Sequence, residues 1–342
     1  MTRFLPPPRM PGPSLVMTRI MTQYGYTASC EQTPVRQLVS DLQAAEQAGF
    51  DFSVMSDHYF PWLEDQGHSG YAWAVLGAAA QATHRLPLMT MVTCPTFRYH
   101  PAVVAQKAAT MGVLSGGRFT LGLGAGENLN EHVVGGGWPS PRVRHERLSE
   151  AIRIIRHLFT GEYVNFSGRH FEVERARLYD LPDTPVPIAV AASGTESAQL
   201  AADQGEGLIA TEPDASLIED FNQAGGEAKP KYGQLAICYD PDEGAARARA
   251  RRLWRFAVPG WHVQSELPEP RSFDAASRHI REEDIAGLVP CGPDPAVHVE
   301  AARKFTRAGF THLALIQVGG EQQGQFMAWA QETLLPALRD NG

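Results

Sequence analysis

Apolar and polar positions along the chain alternate between short apolar runs and longer segments with a helical period. The apolar runs contain β-branched or aromatic residues and are flanked by glycine or proline, which is typical of buried strands in a parallel sheet. Eight such runs occupy residues 23–29, 50–58, 86–95, 118–126, 185–193, 206–211, 232–240 and 311–320. The pattern therefore predicts eight strands separated by helices.

Helix signals lie between the predicted strands. After the first strand, Thr33 and Pro34 fit the N-cap and first helical positions of a helix that ends at Gly49. Residues 147–160 carry another apolar stripe at helical spacing, and Gly161 follows them. Each predicted strand is followed by a helical segment of this kind.

Eight strand–helix units in a chain of 342 residues predict an α/β fold, the (β/α)8 or TIM barrel. A doubly wound open sheet is the alternative, but the sequence shows no topological switch point. Residues 163–180, before the fifth strand, and 257–295, before the eighth, exceed a minimal barrel and are interpreted as insertions. We expect residues 1–21 to form a flexible tail and residues 22–342 to form a single domain.

Composition and charge narrow the classes of function. The net charge of -8 argues against nucleic acid, because proteins that neutralise many phosphates carry a basic excess. No apolar run approaches the roughly 18–20 residues that span a bilayer, so no membrane partner is expected. Four cysteines, far apart in the sequence and too sparse for a disulfide scaffold, predict a reducing, cytoplasmic location; they are Cys30, Cys94, Cys238 and Cys291.

Candidate chemistry is expected at the C-terminal ends of the strands, where TIM barrels carry their catalytic groups. The second predicted strand ends in Asp57 and His58, and an Asp-His pair is a plausible acid–base unit because histidine exchanges protons near neutral pH. Glu127 follows the fourth strand as a second acid–base candidate. Glu31 follows the first strand, where a carboxylate in a substrate pocket and simple stabilisation of the next helix are equally open.

The other strand ends are less specific. Cys94 has no activating base in sequence and is expected to pack rather than to act as a nucleophile. The glycines of residues 122–126 allow a ligand to approach the backbone but lack the spacing of a dinucleotide-binding motif. Residues 191–194 lead into a helix whose N-terminus suits a phosphate, although a tight turn explains them equally well. The twelve histidines show no metal-ligand spacing, so no metal is expected.

Four segments together resemble one known family: residues 26–32, 56–62, 95–99 and 124–131. They are similar to the deazaflavin-dependent branch of the bacterial luciferase-like oxidoreductases, most of all to the F420-dependent glucose-6-phosphate dehydrogenases. The resemblance runs from residue 23 to the end of the chain. It implies a TIM barrel, coenzyme F420 (an 8-hydroxy-5-deazaflavin) at the mouth of the barrel, a small-molecule substrate and a homodimer.

The resemblance also implies a reaction and roles for the matching residues. Hydride would move between a substrate carbon and C5 of the deazaflavin. In the oxidising direction His58 would take the hydroxyl proton, while the indole N–H of Trp62 would stabilise the developing oxyanion. Glu127 would supply a proton to the reduced coenzyme, and Glu31 would orient His58 or the substrate. Asp57 would hold both the imidazole and the coenzyme.

Further positions are implied to contact the coenzyme. The family places a non-prolyl cis peptide behind the deazaflavin ring, which falls at Met91–Val92 here. Cys94 departs from the pattern, because the relatives carry a threonine there, and one hydrogen bond to the coenzyme is expected to weaken. The implied contacts are Asp57, Val92, Cys94, Ala125, Gly126, Asn130, Ala191, Ala192, Ser193 and Gly194.

The substrate region departs from the sugar-phosphate members, which clamp a phosphate with two lysines and an arginine. One lysine position is Asp214 here, and Glu212 adds a second negative charge. Residues 257–295 contain no lysine, and residues 285–288, at the arginine position, are uncharged. Acidic groups repel a dianion, so we expect poor activity on glucose 6-phosphate and a neutral alcohol, ketone, enone or imine as substrate.

Three other functions stay open at this point. An FMN-dependent luciferase-like monooxygenase would share the barrel, so the fold cannot separate it from an F420 enzyme. A sugar-phosphate dehydrogenase with a changed phosphate site is the second alternative. A catalytically silent binding protein is the third, and the acid–base candidates at several strand ends argue against it.

Overall fold

The structure is a computed structural model that describes residues 21–340, so the predicted tail at 1–21 lies, except for Met21, outside the described residues. The division into a tail and one domain stays a prediction. Residues 21–340 contain ten strands: β1 (Gln23–Ala28), β2 (Phe52–Met55), β3 (Leu88–Thr90), β4 (Phe119–Leu123), β5 (Val164–Ser167), β6 (Glu172–Ala176), β7 (Ile188–Ala191), β8 (Gly207–Ala210), β9 (Lys231–Ile237) and β10 (His312–Gln317).

Eight of these strands close into a parallel barrel in the order β1–β2–β3–β4–β7–β8–β9–β10. Closure is visible at β1, where Gly25 pairs with Phe52 of β2 on one side and with Ala314 of β10 on the other. An open sheet would leave β1 or another strand unpaired at an edge. The predicted TIM barrel is therefore confirmed, with one observed strand inside each of the eight apolar runs or within one residue of it.

Helices surround the barrel and occupy the connections. Short 3-10 or π turns extend several of them. The α-helices of residues 21–340 are α1 (Val35–Ala48), α2 (Ala72–Ala82), α3 (Pro101–Leu114), α4 (Asn128–Glu131), α5 (Pro141–Leu158), α6 (Thr195–Gln204), α7 (Ala215–Phe221), α8 (Glu243–Trp254), α9 (Trp261–Gln264), α10 (Pro270–Ser277), α11 (Glu282–Ala286), α12 (Pro295–Ala308), α13 (Gln323–Trp329) and α14 (Leu335–Asp340). No helix in this part of the chain is long and apolar enough to span a bilayer.

Helix boundaries differ slightly from those expected. Helix α1 begins at Val35 with Pro34 as its N-cap, so the assignment of Thr33 as the cap was wrong by one residue. Pro34 has an extended ψ of 143° and makes no side-chain capping bond, which places it just outside the helix. Helix α5 begins at Pro141, earlier than the predicted 147, because proline suits a first helical position.

Both predicted insertions exist as additions to the barrel. Residues 163–180 contain the antiparallel hairpin of β5 and β6, whose pairing includes Phe166 with Val173. Residues 257–295 contain the short helices α9, α10 and α11 between β9 and β10. The second insertion lies at the C-terminal end of β9, which is the end of the barrel where the candidate residues lie.

The apolar core has two layers. One layer lies between the strands and the surrounding helices and extends along most of the chain. The other fills the barrel interior, as is usual for eight-stranded barrels. The interior layer consists of Phe52, Val54, Met89, Met91, Ala189, Ile209 and Ala314.

Close contact between β3 and β4 makes Gly122 a sensitive position. The amide and carbonyl of Gly122 both bond the Thr90 hydroxyl, at 3.0 and 2.9 Å, and a Cβ there would collide with the Thr90 carbonyl oxygen. We expect Gly122→Ala to lower the free energy of unfolding by about 3 kcal/mol, through overpacking. Urea unfolding followed by circular dichroism measures this change.

A matched control lies in helix α2. A Cβ at Gly77 meets nothing within 4 Å, so Gly77→Ala is expected to stabilise the protein by about 0.5–1 kcal/mol, as alanine does inside helices. Equal effects of Gly77→Ala and Gly122→Ala would contradict the described approach of β4 to Thr90.

Candidate active site

Three of the predicted catalytic residues meet at the C-terminal mouth of the barrel. Glu31 follows β1, His58 follows β2, and Glu127 stands between β4 and α4. The imidazole lies between the two carboxylates: His58 Nδ1 is 3.4 Å from Glu31 Oε1, and His58 Nε2 is 3.0 Å from Glu127 Oε1. The structure therefore brings together residues that are separated by up to 96 positions in the sequence.

Glu31 is fixed in a largely buried position. Its Oε2 accepts hydrogen bonds from the hydroxyls of Ser29 and Ser56, each at 2.7 Å. Helix α1 begins at Val35 and has no acidic residue in its first turn. These contacts, with the carboxylate facing His58, favour the interpretation of Glu31 as a pocket residue, which stays a prediction.

Asn130 ties the loop after β2 to Glu127. Its Oδ1 accepts the backbone N–H groups of Tyr59 and Phe60, at 2.7 and 3.2 Å. Its Nδ2 donates to Glu127 Oε1 at 2.6 Å. Asn130 thereby aligns His58 with Glu127, a role that sequence reasoning missed; contact of Asn130 with the coenzyme stays a prediction.

Electrostatics keep the central imidazole charged. Burial alone would lower the pKa of His58, but the carboxylates of Glu31 and Glu127 outweigh it and raise that pKa to about 9. Burial would raise the pKa of Glu127, but the facing imidazole and its hydrogen bond hold it below its usual range. These two shifts favour an imidazolium at His58 facing an ionised Glu127 at neutral pH.

Asp57 faces away from the imidazole. Its side chain accepts hydrogen bonds from Trp73, Thr93, Arg98 and Tyr99, at 2.7 to 3.2 Å, and is almost fully buried. The prediction that Asp57 holds the imidazole is therefore wrong. Adjacent side chains at the end of a strand point in opposite directions, so a carboxylate next to His58 in sequence cannot also face its ring.

Behind Asp57 lies a second buried carboxylate that sequence reasoning assigned no role. Glu131 accepts the backbone N–H of Arg98 at 2.9 Å, and its Oε1 is 3.8 Å from Arg98 Nε. Burial raises the pKa of Glu131 to about 7 despite this arginine. Both residues stand in the segments that carry the family resemblance, which was the available signal.

Trp62 is held against His58 by two aromatic residues, one directly before the late insertion and one inside it. The indole lies 4.9 Å from the imidazole centroid, stacks on Phe256 at 4.9 Å and 6°, and receives the edge of Phe273 at 5.2 Å and 83°. Within the described residues its indole N–H has no hydrogen-bond partner, so it is available to a ligand. Neither phenylalanine was singled out from the sequence.

A shallow cradle lies beside these groups. Met91–Val92 is a non-prolyl cis peptide, as the resemblance predicts. A Cβ at Gly124 would lie 2.6 Å from Val92, and Gly126 has a positive φ of 95°, so the backbone there cannot carry side chains without strain. Val92, Ala125 and Ala191 are partly exposed. Small groups thus leave room for a flat ring.

The remaining predicted contacts lie around the cradle. Cys94 is buried, and burial raises the pKa of its thiol far above the usual range, which agrees with packing rather than nucleophilic chemistry. Ala192 is also buried, whereas Ser193 and Gly194 are exposed just before α6. The backbone N–H groups of Ser193 and Gly194 donate to the Ser197 hydroxyl, at 3.1 and 3.2 Å. The backbone N–H groups of the first turn of α6 are therefore the ones that suit an anion.

The acidic loop after β8 has a structural use. Asp214 is the N-cap of α7, where its Oδ1 accepts from the backbone of Ser216 and Leu217 at 2.8 and 3.3 Å. Glu212 is exposed. Residues 21–340 contain no group of three or more His, Cys, Asp or Glu side chains placed to hold a metal ion.

Comparison with known proteins gives consistent matches over most of the chain. A family model described as luciferase-like monooxygenase matches residues 14–312. An F420-dependent glucose-6-phosphate dehydrogenase of Beutenbergia cavernae is 37% identical over 331 residues, covering 93% of this chain and 98% of that relative. An F420-dependent hydroxymycolic acid dehydrogenase of Mycobacterium tuberculosis is 40% identical over 292 residues, covering 83% of this chain and 80% of that relative.

A solved structure is similar across the whole barrel. It is an F420-dependent secondary alcohol dehydrogenase in complex with an F420-acetone adduct, with a TM-score of 0.85 and 31% identity. The match covers 94% of this chain and 100% of that one. All three of these relatives are named for the same coenzyme.

The imidazole between two carboxylates predicts an unusual titration. In the ligand-free protein, NMR of the His58 ring should give a pKa of about 9, and Glu127→Gln should lower it by removing one of the two charges. His312 is an internal reference, because burial lowers its pKa to about 4. Titration of His58 near 6.5 in the wild type would contradict the described geometry.

The sign of the linked stability follows from the same shift. A histidine whose folded-state pKa is raised contributes stability in full below its unfolded pKa of 6.5, and this stability is lost as pH rises through about 9. In Glu127→Gln the free energy of unfolding should therefore fall less between pH 6.5 and about 9 than it does in the wild type.

Proposed function

The chain belongs to the luciferase-like monooxygenase family, and from this premise we propose how it works as a coenzyme F420-dependent oxidoreductase. The predicted resemblance to the F420-dependent branch is confirmed by relatives of 37% and 40% identity. The chain is an F420-dependent enzyme that transfers a hydride between the coenzyme and a substrate carbon. The relatives named for F420 disfavour the FMN-dependent monooxygenase.

The residues at the mouth of the barrel fit a deazaflavin. Gly124 and Gly126 leave the backbone bare beside Val92, where any Cβ would occupy the space of a ring. The first turn of α6 suits the phosphate of the coenzyme tail. We assign the ring to the cradle at Val92 and Ala125, and the tail phosphate to the backbone after Gly194.

The observation that carries the mechanism is His58 between Glu31 and Glu127, next to a free indole N–H. When bound, the coenzyme supplies or accepts the hydride. His58 exchanges a proton with the substrate oxygen at Nε2, while Glu31 holds the ring through Nδ1. Trp62 donates its N–H to the same oxygen, where negative charge develops. Glu127, an ionised carboxylate whose Oε1 is 3.0 Å from Nε2, would receive a proton from His58 and could pass it on to the coenzyme.

The protonation state of His58 determines whether oxidation or reduction of the substrate is favoured at a given pH. With a pKa of about 9, His58 is charged at neutral pH and is ready to give a proton to a carbonyl oxygen in the reducing direction. To act as a base on an alcohol, the imidazole must first lose its proton. We therefore propose that alcohol oxidation gains rate as pH rises, while reduction is favoured near neutrality.

The substrate class follows from the charges around the pocket. Asp214 and Glu212 place negative charge at the end of β8, where the sugar-phosphate members carry a lysine. Aromatic and aliphatic side chains pack around Trp62. Three arginines near the insertion lie against acids: Arg255 against Asp65 and Asp274, Arg271 against Glu64, and Arg281 against Asp284. Arg278 is in no ion pair within residues 21–340. We propose a neutral secondary alcohol or the corresponding ketone.

Assembly and location remain proposals. The family resemblance predicts a homodimer, and the sparse cysteines predict a cytoplasmic enzyme. The names of the relatives support a small molecule as the substrate.

Two substitutions test the acid–base assignment. His58→Ala should lower kcat about 100- to 10,000-fold, because it removes the proton acceptor. Trp62→Phe keeps the stacking on Phe256 but removes the N–H, and should lower kcat roughly 100-fold. Both variants should still bind F420, measured by quenching of coenzyme fluorescence. Near-normal turnover by coenzyme-loaded His58→Ala would disprove the assignment.

Substrate competition tests the proposed class. The kcat/KM for a neutral secondary alcohol should exceed that for glucose 6-phosphate by about 100-fold or more, because like charges repel the phosphate. Oxidation is followed by bleaching of the F420 absorbance with each substrate. Glu212→Lys should narrow the difference by removing a negative charge without touching the α7 cap. A preference for glucose 6-phosphate in the wild type would contradict the neutral class while leaving F420 dependence intact.

A further inference from the structure

Two cysteines that are far apart in sequence lie side by side in the fold. Cys238 follows β9, and Cys291 lies near the end of the late insertion, just before α12. They form an isolated parallel bridge: the N–H of Cys238 donates to Pro290 O at 2.9 Å, and the N–H of Gly292 donates to Cys238 O at 3.0 Å. Cys238 and Cys291 are therefore direct neighbours across the bridge.

Bridge geometry is compatible with a disulfide. Paired strands lie about 4.8 Å apart, within the roughly 4.4–6.8 Å between Cα atoms that disulfides span. Residues directly opposite each other in a parallel bridge extend their side chains to the same face. Cys291 packs against the apolar cluster that contains Cys238 and Val318, and the two thiols are hydrogen-bonded to each other.

The two thiols differ in a way that suits a thiol exchange reaction. Cys238 is fully buried, and its contact with the Cys291 thiol together with burial raises the pKa of its own thiol. The guanidinium of Arg249, 3.8 Å from its sulfur, opposes this rise. Cys291 is partly exposed. Contact with the Cys238 thiol, aided by the charge of Arg247, lowers the pKa of Cys291, and a lowered pKa increases the reactive thiolate fraction.

We propose that Cys238 and Cys291 form a reversible disulfide, with Cys291 as the attacking thiol and Cys238 as the resolving thiol. The oxidant is a small disulfide. The Cys291 thiolate attacks it, forms a mixed disulfide and releases one small thiolate; Cys238 then loses its proton, attacks Cys291 and releases the second. Two protein thiols are oxidised and one small disulfide is reduced to two thiols.

The bond would close residues 239–290 into a covalent loop. This loop includes α8 to α11 and carries Phe256 and Phe273, which support Trp62. The disulfide therefore braces the base of the segment that covers one side of the candidate site. The proposal concerns thiol chemistry and does not depend on which substrate the enzyme uses.

Thiol counting on the full-length protein tests the pair. After incubation with oxidised glutathione and removal of the reagent, the denatured protein should show two free thiols instead of four, and its mass should fall by about 2 Da. Peptide mapping without reduction should recover the Cys238–Cys291 link. Dithiothreitol should restore all four thiols. A mixed disulfide that persists on Cys291, or four thiols left after treatment, would overturn the proposal.

Single substitutions make the test specific. Cys291→Ser should keep its three remaining thiols under the same treatment, because the exposed attacking group is gone. Cys94→Ser should still lose two thiols, since Cys94 is buried elsewhere. Urea unfolding should show a higher midpoint for the oxidised wild type than for treated Cys291→Ser. An unchanged midpoint would contradict the bracing role.

Discussion

The contact between one imidazole and two carboxylates is the constraint on which the candidate site depends. Glu31 and Glu127 are largely buried, and two carboxylates so close together repel each other unless a cation lies between them. His58 supplies that cation, and in doing so it ties the ends of β1, β2 and β4 together. The serine hydroxyls on Glu31 and the amide of Asn130 on Glu127 then fix both carboxylates. Catalytic chemistry and local stability are thus provided by the same charges.

A second buried charge pair supports this arrangement without taking part in it. Asp57 turns its carboxylate to Arg98 and three neutral donors, on the opposite side of the strand end from His58. Asp57 therefore fixes the end of β2 on the side of Arg98, and His58 fixes it on the side of the two carboxylates. An adjacent Asp-His pair in sequence suggests a dyad, but the alternation of side chains along an extended backbone separates the two residues.

The parts of the fold that depend on local sequence patterns are the ones that the sequence predicts. Apolar runs predict the strands, and because all parallel strands end at one mouth of the barrel, the sequence also places Glu31, His58 and Glu127 at the same mouth. Contacts made by the late insertion could not be predicted this way. Phe256 and Phe273 belong to short helices with little periodicity, and nothing local shows that they stack on Trp62. Cys238 and Cys291 looked unrelated because only the bridge at the end of β9 brings them together.

The barrel divides its tasks between two sides. The proton-handling groups stand on β1, β2 and β4, whereas the features that depart from the sugar-phosphate members lie after β8 and between β9 and β10. On that second side, Asp214 caps α7 in place of a lysine, and aromatic residues support the indole at the site. A loop or insertion can change there without replacing a member of the carboxylate–imidazole–carboxylate contact, because no strand of that side supplies one. The same proton chemistry can therefore serve substrates of different charge. Substrate choice depends on the loop after β8 and the insertion between β9 and β10, which contribute no strand to the closed barrel.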